Sequence, residues 1–438
     1  MPPVVGPTMS VLIGIVADLP VGTNLSMLHF LWMLVNGSLL THRGALFPAL
    51  QSTGISPRAV RRAWAAFRGG MWQIGELMVA WDNYMRAHQW QARVYEGYEA
   101  MVIDVTPFWR PRLRGLASKY YSSVANKALP AVVVGLMAHI GVIQEKRIAL
   151  PRLMLRVTLQ DPTEQGLKKA LLKAAARRLG AVEILLMDAG FKPTEAQEAE
   201  VARYLLRLSK NFTGRRNYLV IVPNKRGPSP IYGPRVRPLA RQYKERTLDA
   251  TPPDAIFTWQ LGTGESITAH AWYDLVRSDV AASPAANLID VYAIYDPRYD
   301  NPLLVGTNVK LHPQTVHALY TDRWPVEQLP LAGKHMVGAH RQFVFAHETC
   351  QRLPELVLLA GSILTGLAAL HPSIPTGFWD RNPQPTPGRF RRALTGLPFP
   401  QSYPLPGRLR QKASWTGHLP KGVAARRQPE GVEEVVLT

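Results

Sequence analysis

The sequence predicts an α/β fold, with a helical region ahead of it and a β-rich insertion inside it. Two apolar runs, Tyr98–Thr106 and Ala181–Phe191, read as buried strands that each deliver an aspartate, Asp104 and Asp188. Between them lie two further strand-like runs, Ala131–Met137 and Ile148–Thr158, and a helical pattern from Pro162 to about Leu179, closed by Gly180. Open α/β sheets place their sites at the C-terminal edges of strands, so the two aspartates are the first residues of interest. At 47% hydrophobic residues, the 438-residue chain has ample material for a core.

Residues 1–97 read as mostly helical. Within 43–68, Arg43–Gln51, a turn at Ser52–Pro57 and Arg58–Arg68 have the proportions of a helix-turn-helix. Ser56 suits the N-cap, and Pro57 suits the first helical position. Ala59, Val60, Ala63, Trp64 and Phe67 share one face, which leaves Arg58, Arg61, Arg62 and Arg68 for the others. A DNA-reading helix and an ordinary amphipathic helix with a solvated basic face both have this pattern.

After Asp188 the sequence predicts a helix from Thr194 to about Leu208 and a strand at Asn217–Pro223. Residues 224–312 begin Pro-, Gly- and Arg-rich, then show strand-like runs at Ala255–Gln260, Leu288–Tyr295 and Pro302–Val309, the predicted insertion. A helical stretch follows from about Pro313 to Leu370. Residues 371–438 hold 11 of the 37 prolines, with 10 basic and 4 acidic residues, and are expected to form an irregular basic tail. The expected units are therefore 1–97, a core of 98–223 with 313–370, an insertion of 224–312, and the tail.

Charge narrows the partners. Fifty-one Lys and Arg against 31 Asp and Glu give a formal charge of +20 and a pI near 10.2, which points to a polyanion. The single Cys350 excludes a disulfide framework and a cysteine-based zinc site, and is expected to be inert core. A membrane partner is not expected. Asp18 interrupts the apolar run at Met9–Val16, Asn36-Gly37-Ser38 cuts Met27–Leu40, and Leu353–Leu370 reads as a buried helix.

The strongest motif is Tyr320-x2-Arg323-x3-Glu327-x6-Lys334. On an unbroken helix these side chains fall within about 60° of one another. Pro325 and Pro330 predict a kink or restart in that stripe. A carboxylate beside a phenol and two cations suits a metal-binding acid flanked by phosphate-gripping groups.

Through this motif the chain resembles the DDE transposases of bacterial insertion sequences, the cut-and-paste group marked by the Tyr-x2-Arg-x3-Glu-x6-Lys signature. Asp104-Val-Thr106 resembles the context of that family's first acid, and Asp188-Ala-Gly-Phe191 that of its second. The resemblance covers roughly residues 98–350. It implies a ribonuclease-H-like mixed-sheet core with a β-strand insertion between the second and third acids. It also implies that Asp104, Asp188 and Glu327 are both catalytic residues and ligands of two Mg²⁺ ions, replaceable by Mn²⁺. Tyr320, Arg323 and Lys334 would contact the backbone of the transposon end.

The expected function is binding of terminal inverted repeats, metal-dependent DNA cleavage and strand transfer. The partners would be double-stranded DNA, as transposon end and target, and a second copy of the chain on DNA, in the cytoplasm at the nucleoid. A DNA-binding descendant without activity, or a ribonuclease-H-like endonuclease, are the alternatives. Arg110 and Arg112, with Arg114 and Lys119, are candidates to line a DNA channel, as a solvated basic turn would also explain. Lys225, Arg226, Arg235, Arg237 and Arg241–Arg246 are further phosphate-binding candidates. Trp259 and Trp272 are expected either in the core of the insertion or stacked on a flipped base. His139 and His270 read as partly buried polar residues rather than ligands.

Overall fold

A computed structural model describes residues 2–158, 160–217, 233–262, 264–277 and 288–410. The predicted strand at 217–223, Lys225, Arg226 and the tail beyond 410 lie, save Asn217, outside the described residues. The fold is mixed α/β, built on one large sheet of parallel and antiparallel strands.

The chain begins with helices α1 (Val5–Val16), α2 (Thr23–Val35), α3 (Ser38–Thr41), α4 (Leu46–Gln51), α5 (Pro57–Gly69) and α6 (Ile74–Ala87). The α4–α5 pair falls where the helix-turn-helix proportions placed it. Ser56 caps α5 by accepting from the Ala59 N–H at 3.2 Å, and Pro57 sits in the first turn. Ala59, Val60, Ala63 and Phe67 are buried, while Arg58, Arg61 and Arg68 are exposed and Arg62 is half-buried.

The sheet then starts with the short strands β1 (Gln91–Ala92) and β2 (Val94–Tyr95), followed by β3 (Tyr98–Trp109), β4 (Lys119–Ser122), β5 (Lys127–Ile143) and β6 (Lys146–Arg156). Helix α7 (Glu164–Arg178) crosses to β7 (Glu183–Met187), and the six-residue α8 (Pro193–Glu198) crosses to β8 (Tyr204–Arg207). β6, β5 and β3 are antiparallel neighbours, and β7 and β8 add on parallel to β3.

The expected helix from 194 to 208 is thus corrected to a short helix and a strand. Glu200 adopts φ 57°, which ends the helix. Leu205 and Leu206 are then buried on opposite sides of the sheet, as the consecutive apolar residues of a two-faced buried strand are. A second correction concerns β3, which does not end at Asp104 but runs on to Trp109, paired with β5.

The remaining strands are β9 (Gly214–Arg216), β10 (Arg235–Val236), the small hairpin β11 (Arg241–Tyr243) with β12 (Arg246–Leu248), β13 (Ala255–Gln260), β14 (Ser266–Val276), β15 (Ile289–Tyr295) and β16 (Leu303–Thr307). β16 pairs with β8, so apart from the β11–β12 hairpin the β-rich stretch prolongs the same sheet. After it come α9 (Pro313–Thr321), α10 (Pro325–Leu331), a π-helical segment (Ala332–Val337), α11 (His347–Leu370) and α12 (Pro387–Leu394).

Three cores organise these elements. One face of the central strands, through Val102, Leu186 and Leu205, packs under Val316 and Leu319 of α9 and Val326 and Leu329 of α10. The opposite face, through Ile103, Leu185 and Leu206, packs on Leu167 and Leu171 of α7. The third joins the N-terminal helices to α11 and to one end of the sheet through Phe108, Val132 and Leu136. By length and composition α11 could cross a membrane, but 89% of its apolar window is buried inside the fold. The described part of the tail, 371–410, is irregular outside α12, but it is not without core contacts, since Phe390 and Leu394 of α12, with Phe399 and Leu409, are buried in the third core. Their apolar side chains supply what the proline-rich composition obscured.

Candidate active site

The site is set by strand register. β3 and β7 run parallel with Val102 opposite Leu186, so two residues further on Asp104 comes level with Asp188. Both aspartates alternate with residues of the α9–α10 face, and therefore project from that face. Along β3 the same side of the strand reads Ala100 and Val102 in one core, then Asp104 and Thr106, then Phe108 in the next. The two polar residues occupy the seam between two hydrophobic cores. The Val105 N–H donates to Asp104 Oδ1 at 2.8 Å, and the Gly190 N–H donates to Asp188 Oδ1 at 2.9 Å, which orients each carboxylate.

Helices α9 and α10 bring the signature residues over this seam. The single stripe expected for them is divided among three segments. Pro325 starts α10, where its missing N–H costs nothing. Pro330 removes an interior donor, and the chain continues as the π-helical segment. Glu327 lies in the first turn of α10 and is half-exposed, with Arg323 donating to its Oε1. The Arg323 guanidinium also sits 5.5 Å from the Tyr320 ring centroid.

Lys334 comes from the π-helical segment and donates from Nζ to Thr106 Oγ1 at 2.8 Å, with its ammonium 5.2 Å from the Phe108 ring centroid. Two glycines allow this. A Cβ on Gly361 of α11 would lie 2.8 Å from the Gly333 backbone N, and one on Gly333 would lie 2.9 Å from Val357 Cγ1. Only with both side chains absent does the segment press close enough to α11 to point Lys334 at β3.

The electrostatics follow the crowding. Burial pushes the Asp104 carboxyl up to about 6, and the nearby Asp188 and Glu327 carboxylates add to that rise while Arg323 opposes it. Burial pushes Lys334 down to about 8, with Asp104 partly restoring it. Arg323 is raised by Tyr320, Glu327 and Asp188 against the opposing effect of its burial. Asp188 and Glu327 thus lie near enough to act on a buried Asp104, although among the described residues only Glu99, His139 and Glu183 bring ligand atoms within 4.8 Å of one another. Hard oxygen donors in that state fit divalent ions such as Mg²⁺ or Mn²⁺, which would relieve the repulsion.

The chain matches no protein-family model and no curated protein sequence. What can be said of the site therefore rests on its residues.

The structure brings together Asp104, Asp188, Glu327, Tyr320, Arg323 and Lys334. It does not add Arg110. That residue is buried, and its guanidinium holds the Val344 carbonyl, Gln342 and Cys350, so the expected channel residue is a core tether. Arg112 is exposed in the β3–β4 connection, while Arg58, Arg61 and Arg62 belong to α5, which packs on α2, α4 and α11. Trp272 is fully buried, with its indole N–H on the Thr251 and Pro252 carbonyls, and Trp259 packs against the α9–α10 core. His139, expected to be partly buried, is fully buried.

One aromatic escaped the sequence reading. Trp324, next to Arg323, is 51% exposed and lines a cavity of about 720 Å³ with Tyr320, Arg323, Arg147, Arg207 and Tyr299. No pattern in the sequence marked it, because a lone tryptophan between two helices carries no periodic signal.

Proposed function

We propose that this chain is a DNA transposase that binds terminal inverted repeats, cuts DNA at the repeat boundary and joins the freed 3′ end to a target. The observation that carries the reading is the in-register pair Asp104 and Asp188 with Glu327 laid over the same face, flanked by Arg323 and Lys334. The strand order β6-β5-β3-β7-β8, three antiparallel strands followed by two parallel ones, supports a ribonuclease-H-like core. The exposed arginines of α5 and the +20 charge support DNA as the partner; a second copy of the chain on DNA is what the family resemblance implies.

Asp104, Asp188 and Glu327 would hold two divalent ions, Asp104 being central because both other acids influence it. When bound, such ions activate the attacking oxygen and neutralise the charge that develops on phosphorus. The chain's own residues do the rest. Arg323, its planar guanidinium already placed by Glu327 and Tyr320, is suited to a bidentate grip on a phosphate. Lys334 supplies a point charge fixed by Thr106 and stays largely protonated at neutral pH. The half-exposed Glu327 leaves the pocket open on the side where a DNA strand enters.

The test uses purified full-length protein with Mg²⁺ or Mn²⁺ and labelled duplexes spanning the ends of the DNA segment that carries its gene. Metal-dependent cuts at the repeat boundary are expected, and Asp188→Ala should abolish them while binding to the duplex persists. Full cutting by Asp188→Ala would overturn the assignment. Tight binding without cutting by the unmodified protein would favour a DNA-binding descendant instead.

A further inference from the structure

We propose that Arg207 is a backbone-phosphate anchor of this site, gripping the nucleic-acid strand beside Asp188. The inference rests on the nuclease chemistry proposed above and names a residue outside the signature. β7 and β8 are parallel with Met187 opposite Leu206, so the next residues, Asp188 and Arg207, are neighbours. Asp104 lies level with Asp188 on its other side. Across three adjacent strands the row therefore reads Asp104, Asp188, Arg207, at about 4.8 Å per step. Arg207 alternates with Leu205, which is buried under α9 and α10, so it projects from the same face as both acids.

Arg207 is exposed, and its side chain makes no hydrogen bond or ion pair with any described residue. Its neighbours are committed. Arg203 holds the Gly180 and Glu183 carbonyls, Arg147 pairs with Asp322, and Arg323 pairs with Glu327. A guanidinium left free at the end of a buried strand, next to an acid cluster, has no structural duty to perform.

Two cavities meet at this side chain. One, of about 720 Å³, is shared with Tyr320, Arg323 and Trp324; the other, of about 480 Å³, with Ala189, Lys192 and Arg277. Asp296 and Asp300 also line the first, but Asp296 is paired with Arg298. A strand that passes from one cavity to the other crosses Arg207 with Asp188 at its side. The planar fork of donors matches a phosphodiester, and lysine at the same place would supply charge without that geometry.

The experiment walks single methylphosphonates along the cut strand of the end duplex and measures cutting in Mn²⁺ by the unmodified protein, Arg207→Ala and Arg207→Lys. On unmodified DNA, Arg207→Ala should cut about 10- to 100-fold more slowly, and Arg207→Lys should recover part of that loss. For the unmodified protein, one phosphate near the cut should slow the reaction when neutralised; Arg207→Ala should be indifferent at that same phosphate. A structural role for Arg207 would not produce that selective indifference. Cutting by Arg207→Ala at the full rate, or an unchanged interference map, would overturn the anchor alone. If the unmodified protein cuts no duplex in Mn²⁺ or in Mg²⁺, the nuclease reading itself falls and the anchor with it.

Discussion

Glu99 faces Glu183 across β3 and β7, and five residues further along the same strands Asp104 comes level with Asp188. Five is an odd offset, so the two acid pairs leave the sheet on opposite faces. At the first pair the chain places its own groups among the acids. His139 Nε2 lies 3.0 Å from Glu99 Oε2, Arg86 Nη2 lies 3.2 Å from His139 Nδ1, and Arg86 and Arg152 both pair with Asp82. A guanidinium can only donate, so His139 Nδ1 is the acceptor and the ring proton sits on Nε2, near Glu99 but without hydrogen-bond geometry to it. Although Glu99, His139 and Glu183 offer ligand atoms within 4.8 Å of one another, the imidazole lone pair is already taken. At the second pair burial and two further carboxylates push Asp104 upward, against the Val105 N–H and Arg323. Clustered acids alone do not make a metal centre. What distinguishes the second row is a third carboxylate where the first has an imidazole whose lone pair Arg86 occupies.

The sharpest way to break this contrast is to remove one charge from each row. Asp188→Asn should lower metal-dependent DNA cutting by roughly a thousandfold or more, whereas Glu183→Gln should leave it within about threefold. Both variants would be assayed on the same end duplexes. Loss of cutting in Glu183→Gln with normal cutting in Asp188→Asn would move the active site to the other face.

Much of this was legible in the sequence, for identifiable reasons. The apolar runs around Asp104 and Asp188, the capped helix at Ser56 and the signature at 320–334 each depend on short-range patterns. Even the two acid rows leave a trace, because both pairs are separated by the same 84 residues, as two in-register parallel strands require. The failures are long-range. β8 looked like the end of a helix because Leu205 and Leu206 are buried on both faces and show no alternation. Arg207 was invisible until β8 was a strand. Arg110 read as a surface cation because nothing local reveals the Val344 carbonyl that holds it. The tail's proline content hid four apolar side chains whose partners are distant in sequence, such as His29 and Trp32 for Phe399 and helix α11 for α12.

A smaller effect tests the closed row through pH. Burial, reinforced by Arg86 and Arg152, holds His139 down at about 4, against an ordinary value of 6.5. The unfolded chain therefore takes up this proton first as the solution is acidified. His139's contribution to stability should be level above about pH 6.5 and shrink by about 1–3 kcal/mol between about 6.5 and 4, against an opposing gain as the raised Asp104 takes up its proton. His29, also held at about 4 by burial, adds a parallel loss. In denaturant titrations from pH 7.5 to 4.5, His139→Gln should show a correspondingly shallower fall than the unmodified protein. An identical pH slope in the two would mean that His139 is charged in the folded state and that the first row is not closed as described.

The mildest test reads the open row without any DNA. If Asp104, Asp188 and Glu327 carry unmatched charge, a divalent cation should bind the folded protein more tightly than the unfolded chain. At a concentration tenfold above the dissociation constant that linkage supplies about 1.4 kcal/mol, or a rise of about 1–3 °C in Tm for a chain of this size. Asp104→Asn should abolish the rise produced by Ca²⁺ or Mg²⁺, and Glu99→Gln should leave it intact. The same variant makes a second reading possible in chelator. Removing a desolvated carboxyl from a crowded acid site relieves repulsion, so Asp104→Asn without metal should melt no lower than the unmodified protein, as expected where function rather than stability holds a residue in place. A metal-induced rise that survives Asp104→Asn but disappears in Glu99→Gln would place the cation on the opposite face of the sheet, where the position of the His139 proton argues against it.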